Sequence, residues 1–158
     1  VLHFDGETVQ LFHAPNAHTD SDTLVHFKRA NVIHASGTFG GDGSYPFFDA
    51  SSGGSLAGTI AAQAKMLSLA DANTRIVPDE GDPGSTAVLR ACHDALVEIR
   101  TRVQKLIDAG KTEDEAVATK PTKDLDARWV RPGGFLTGDT YTRMAYQSLK
   151  AGSPPAAR

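Results

Sequence analysis

The hydrophobic pattern changes period once along the chain, and that change limits the folds open to it. Thr8-Val9-Gln10-Leu11-Phe12-His13, Thr23-Leu24-Val25-His26-Phe27 and Asn31-Val32-Ile33-His34 are β-rich runs within the first 35 residues. Asp5-Gly6 before the first is a tight-turn dipeptide, and Lys28-Arg29-Ala30 between the last two suits a hairpin. Beyond Ser55, a plausible cap, the spacing becomes helical at Leu56, Ile60, Ala64 and Leu67, stopping near Asp71-Ala72-Asn73. A longer stripe, Val88, Cys92, Leu96, Ile99, Val103 and Leu106, begins its helix near Ser85 and ends at Gly110, the residue type expected just past a C-terminus. Thr74-Arg75-Ile76-Val77-Pro78 between the two helices reads as a short strand. This βαβα order predicts an α/β (α+β) fold, a mixed sheet covered by helices.

The remaining segments are less periodic. Residues Ser36 to Gly54 are Gly-rich, hold Phe39, Tyr45, Phe47 and Phe48, and predict a long ordered loop. Thr112-Glu113-Asp114-Glu115 reads as a capping box opening a short helix, which Lys120-Pro121 stops. Trp129 and Gly133-Gly134-Phe135 fall in a stretch expected to be irregular, before a closing helix from Thr140 to Lys150 with Tyr141, Met144, Ala145 and Leu149 on one face. Residues 1–150 are expected to form one domain, and 151–158, with Pro154-Pro155, a disordered tail.

At 158 residues, with 40% hydrophobic and 22% charged content, the chain can bury a core of its own. A net charge of -3, with 16 basic residues dispersed among 19 acidic ones, leaves no electrostatic footprint for nucleic acid. The longest apolar run, Leu56 to Ala70, is interrupted by Gln63 and Lys65 and is too short to span a bilayer. Cys92, the single cysteine, reads as a small core residue. Val1 opens the chain with no charged or apolar leader before the first strand, which reads as a processed or cut start and leaves a periplasmic or cytoplasmic location equally open.

Four of the six histidines, His13, His18, His26 and His34, fall in the strand and loop region. No pair has the spacing of a local chelate. His26 and His34 are read as strand histidines hydrogen-bonded on a sheet face, and His93, beside Asp94, as a surface or capping residue. Gly37 to Ser44 lacks the lysine ending of a phosphate loop, and no nucleophile-elbow pattern surrounds Ser36, Ser51 or Ser52. His18 differs, because it stands in a polar loop, Ala17-His18-Thr19-Asp20-Ser21-Asp22, that leads directly into the strand Thr23-Leu24-Val25.

That block resembles the third metal-binding motif of the metallo-β-lactamase-fold hydrolases, in the subgroup where an HTDGD-like loop precedes a TLVHF-like strand. Four more blocks follow in the family's order: Asn31-Val32-Ile33-His34, Tyr45-Pro46-Phe47-Phe48-Asp49, Ser52-Gly53-Gly54-Ser55 and Thr74-Arg75-Ile76-Val77-Pro78, so that the resemblance runs from about Gly6 to Leu149. It implies the C-terminal half of an αββα sandwich and a zinc-activated water acting on a small-molecule lactam, ester or thioester. The chain also departs from the family. The N-terminal HxHxDH ligand motif is absent. The bridging aspartate expected three residues after His34 is replaced by the glycine of Ala35-Ser36-Gly37, leaving Asp42 as the nearest acid. Pro78-Asp79-Glu80-Gly81 replaces Pro-Gly-His-Gly, putting Glu80 at the histidine's place. The resemblance therefore implies metal candidates His18, Asp42 and Glu80, a set that holds zinc weakly or, through its carboxylates, tilts toward magnesium or manganese. It leaves two functional expectations: a hydrolase completed by a complementary N-terminal half, or a non-catalytic half-domain that self-associates as a homo-oligomer or binds. Both expect a partner surface where the second half would meet the sheet.

Overall fold

The computed structural model describes residues 1–152, and within them six strands form one mixed sheet in the order β1-β2-β3-β4-β5-β6. The strands are β1 (Leu2–Phe4), β2 (Glu7–Ala14), β3 (Asp22–Phe27), β4 (Val32–His34), β5 (Arg75–Val77) and β6 (Gly84–Ser85). The first turn forms as the sequence requires, with Asp5 and Gly6 both at positive φ (48° and 72°), the geometry that joins two antiparallel strands tightly. β1, too short to show a period, was not expected as a separate strand. β4 and β5 are parallel, because the chain between them crosses the sheet through helix α1 (Leu56–Leu69), and every other neighbouring pair is antiparallel. This is the mixed sheet that the βαβα order predicts.

Four more helices follow: α2 (Thr86–Asp108), α3 (Glu113–Ala118), α4 (Lys123–Trp129) and α5 (Gly138–Ala151). Their starts carry the expected chemistry. Ser55 accepts the Gly58 N–H, Ser85 the Val88 N–H, and Thr112 and Glu115 make a complete capping box. α4 lies in the stretch expected to be irregular. It is only two turns long, too brief for a legible stripe, and Trp129, buried at its end, together with the partly buried Leu125 fixes it by tertiary packing. α5 opens two residues before the expected start because Thr137 supplies the cap, and it continues through Ala151 into the segment expected to be a tail. The rest of that tail, 153–158, lies outside the described residues.

The core lies between the helices and one face of the sheet. Leu24, Ile33 and Ile76 from the strands meet Leu56 and Met66 of α1, Leu89, Leu96, Ile99 and Val103 of α2, and Tyr141 and Ala145 of α5. Cys92 is in this core, fully buried, and burial pushes its thiol up to about 12, which suits a packing residue rather than a nucleophile. On α1 the expected stripe shifts: Ala64 is exposed, and Thr59, Gln63 and Met66 turn inward with Leu56 and Ile60. Gln63 is tolerated there because its amide donates to the Thr38 carbonyl at 2.8 Å.

The other face is different. Residues paired across the strands share a side, so Leu2, Val9, Leu11, Val25, Phe27, Val32 and Val77 stand together on the face away from the helices. All are half-buried or exposed, Leu2 by 58% and Leu11 by 49%, and none belongs to the core or packs against it. No described helix is long and apolar enough to cross a membrane.

His26, expected to be hydrogen-bonded on a sheet face, is instead buried on the helix side with its Nδ1 unpartnered among the described residues. Burial, and then the positive charge of Lys28, lower its pKa below the ordinary 6.5. The unfolded chain therefore takes up this proton more readily than the folded one. Stability is complete above the unfolded pKa and is lost as pH falls toward the folded value. Urea unfolding should accordingly show stability declining from about pH 7 to pH 5, with His26→Leu removing part of that slope; an unchanged slope in the variant would assign it to other groups.

Candidate functional site

The loop between β2 and β3, the end of β4 and the end of β5 converge at one edge of the sheet, since β4 and β5 run parallel and β3 starts where they finish. His18 comes from the first of these segments, Gly37 from the second, and Asp79 and Glu80 from the third. With Phe39, Phe47, Arg131 and Phe135 they line a cavity of about 340 Å³, a size suited to a small molecule.

The His18 loop is held in place by backbone contacts on both sides. The His18 carbonyl accepts the Asp49 N–H at 2.7 Å, the Ala17 carbonyl accepts the Ser55 N–H at 3.0 Å, and Asn16, at positive φ, reaches the Gly53 carbonyl at 3.2 Å. Two glycines permit this docking: a Cβ at Gly54 would lie 2.1 Å from the His18 carbonyl oxygen, and one at Gly58 would lie 1.8 Å from that of Asn16. The Ser52-Gly53-Gly54-Ser55 block is thus the seat on which the histidine loop rests. Asp49 steadies the same seat by accepting from the Ser51 and Ser52 hydroxyls, both at 2.6 Å, which hold its carboxyl down to about 2.

Asp22, only 4% exposed, ties the histidine loop to the turn after β4. One carboxylate oxygen accepts the Thr19 N–H at 2.6 Å, and the other accepts the Ser36 hydroxyl at 2.7 Å. The sequence offers it only as one acid of a polar loop. His34 keeps the strand role expected of it and adds a link to β5. Its Nδ1 accepts the Ser36 N–H at 3.3 Å, which leaves the ring proton on Nε2, 3.2 Å from the Asp79 carboxylate. His13 reaches the Asp20 carbonyl at 2.7 Å, and His93 lies 3.2 Å from Asp94.

Of the three metal candidates, the structure brings His18 and Glu80 to the same cavity and puts Asp42 elsewhere. Asp42 pairs with Arg128 of α4 at 3.2 Å. Gly37, which the resemblance sets at the bridging aspartate's position, has no side chain to offer as a ligand. Among the described residues no group of three or more His, Cys, Asp and Glu side chains comes together as a metal site. The residues of this chain therefore do not by themselves fit the zinc ion that the resemblance implies, since catalytic sites usually use three protein ligands. What the cavity offers instead is an imidazole and a carboxylate on a floor walled by aromatic rings. His18 meets the edge of Phe47 at 5.8 Å between centroids, and Phe47 meets Phe135 at 5.7 Å. Phe135 is 70% exposed. Arg131 donates to the Gly40 carbonyl at 3.0 Å and brings a cation to the rim. The sequence gives no periodic signal for Arg131 and Phe135, although a lone exposed aromatic inside a Gly-rich stretch is a pattern that binding loops show.

Removing the Asp22 carboxylate leaves the Thr19 N–H and the Ser36 hydroxyl without their acceptor. Asp22→Ala is expected to destabilise the fold by about 1–3 kcal/mol, with Asp22→Asn milder, as read by urea unfolding; a variant as stable as the parent would show that this link does not hold the loop.

No family model and no curated protein matches this sequence. Solved structures do. A stereoselective inverting sec-alkylsulfatase from Pseudomonas sp. matches over 92% of this chain with a TM-score of 0.71 at 16% identity. A metallo-β-lactamase from Pontibacter korlensis matches over 61% with a TM-score of 0.53 at 12% identity. The aligned parts are 24% and 44% of those proteins' own lengths, so the chain spans less than half of either. The element order, the mixed sheet covered by helices on one face and these likenesses agree, and the chain has the fold of one part of a metallo-β-lactamase-type sandwich.

Proposed function

We propose that this chain is a hydrolase-related half-domain that binds a small amphipathic molecule in the His18–Glu80 cavity and does not carry out metal-dependent hydrolysis by itself. The observation that carries this reading is the state of the cavity edge: a half-open cavity with an aromatic wall is present, while Gly37 supplies no side-chain ligand and Asp42 is engaged with Arg128. Aromatic walls and a few convergent polar groups are what a small-molecule site needs. Zinc titration of the purified chain, followed by assay against a chromogenic lactam and a chromogenic ester, is expected to give substoichiometric metal and background turnover. One zinc per chain with turnover above background would overturn the reading.

A second reading, a hydrolase completed by a complementary N-terminal half, is favoured by one specific observation. The His18 side chain makes no hydrogen bond and Glu80 no ion pair among the described residues, and both face the cavity. Zinc is the ion this reading calls for, with further ligands supplied by the other half.

Both readings have the open sheet face covered, and we propose a second sheet of the same architecture as its occupant. Support comes from the apolar row Val9, Leu11, Val25 and Phe27, and from the chain's span of less than half of its structural neighbours. A surface of this kind rarely stays uncovered in a monomer. In the absence of a complementary half, copies of this chain are expected to cover it for one another. Sedimentation at tens of micromolar should show a dimer or larger species, and Val25→Glu or Phe27→Lys should shift it to monomer while retaining the helical circular dichroism. A parent chain that sediments as a monomer would count against this occupant.

A further inference from the structure

The glycine at position 37 is explained by space alone. Its φ lies outside the left-handed region, the residue before it, Ser36, takes the positive φ of that turn (51°), and nothing in the backbone at 37 requires glycine. A Cβ built there would lie 2.0 Å from His18 Nδ1, 2.5 Å from Cγ and 2.9 Å from Cε1. Contacts with the root of the ring as well as its edge cannot be relieved by a small tilt. The whole imidazole has to leave. Its backbone cannot follow, because the His18 carbonyl is held by the Asp49 N–H and backed by Gly54, and the ring is flanked by Phe47.

We infer that the His18 imidazole has taken the volume that a side chain at position 37 needs, so that residues 18 and 37 form a coupled pair and a carboxylate cannot be set at 37 while His18 keeps its place. This rests on the reading of the cavity as a site without its metal set, and it deepens it. The ligand edge has closed over the bridging position, and the imidazole itself forms the polar floor on which a bound molecule rests. Reinstating a carboxylate beside His18 therefore takes two changes rather than one.

The test is a double-mutant comparison by thermal unfolding of Gly37→Ala, His18→Ala and the combined variant, with zinc uptake of Gly37→Asp measured by equilibrium dialysis. Overpacking at a rigid contact predicts that Gly37→Ala lowers the midpoint by about 5 °C. In the His18→Ala background the same change is expected to shift it by no more than about 1–2 °C. Gly37→Asp is expected to be destabilised and to take up no stoichiometric zinc. An equal loss in both backgrounds, no loss in either, or one zinc bound per Gly37→Asp chain would overturn the inference. If Gly37→Ala fails to fold, recovery of the fold in the combined variant supports the coupling and continued failure refutes it. Zinc uptake by the unaltered chain bears on the reading of the cavity and leaves the thermal coupling intact, so the two can fail separately.

Discussion

The packing of α1 and α2 over Leu24, Ile33 and Ile76 fixes the position of everything else in this molecule. Those three side chains come from neighbouring strands and point the same way, and the helices that cover them are set by the crossover between β4 and β5. Once the crossover is made, β4 and β5 must run parallel and end together, and the β2–β3 loop is carried to the same edge. The cavity is a consequence of that arrangement. It sits where three chain segments finish at one place, and its residues are held by elements whose stability comes from the core rather than from the site.

The same packing creates the asymmetry of the sheet. Strand side chains alternate between faces, so a sheet that presents Leu24, Ile33 and Ile76 to the helices must present Val25, Val32 and Val77 to the other side. Among the described residues, the helices cover only one of them. The valines and phenylalanine on the second face are the residue types of a buried layer, and their incomplete burial, with Leu2 and Leu11 exposed beside them, is the physical basis for the second sheet proposed against it. The ligand edge and the open face meet at the ends of β4 and β5, where His34 and Asp79 stand between them.

At the cavity edge, tight backbone docking holds the histidine loop. Asp22, Asn16, Asp49 and the glycines at 54 and 58 hold that loop through hydrogen bonds and close approach. The His18 ring lies close over Gly37, in the space that a side chain there would need. Glu80 shares the cavity with it, whereas Asp42 lies outside and pairs with Arg128 of α4 across a long sequence separation.

The local and periodic features were legible in the sequence: the Asp5-Gly6 turn, the caps at Ser55, Ser85 and Thr112, the long stripe of α2, and the order of strands and helices. These are decided by neighbours within a few positions, where residue type and spacing carry the physics. The five motif blocks likewise marked the fold, because their order reflects the order of its segments. What the sequence could not decide was which distant residues meet. α4 forms because Trp129 is buried, Gln63 turns inward because the Thr38 carbonyl waits there, His26 loses its partner to burial, and Arg131 with Phe135 joins a cavity begun more than a hundred residues earlier. The candidate site divides along the same line. The resemblance named His18, Asp42 and Glu80 as candidates and marked position 37 as changed, but only the tertiary structure placed Asp42 with Arg128 and the His18 ring over Gly37, because both outcomes depend on how the chain packs in three dimensions rather than on what stands beside each residue along it.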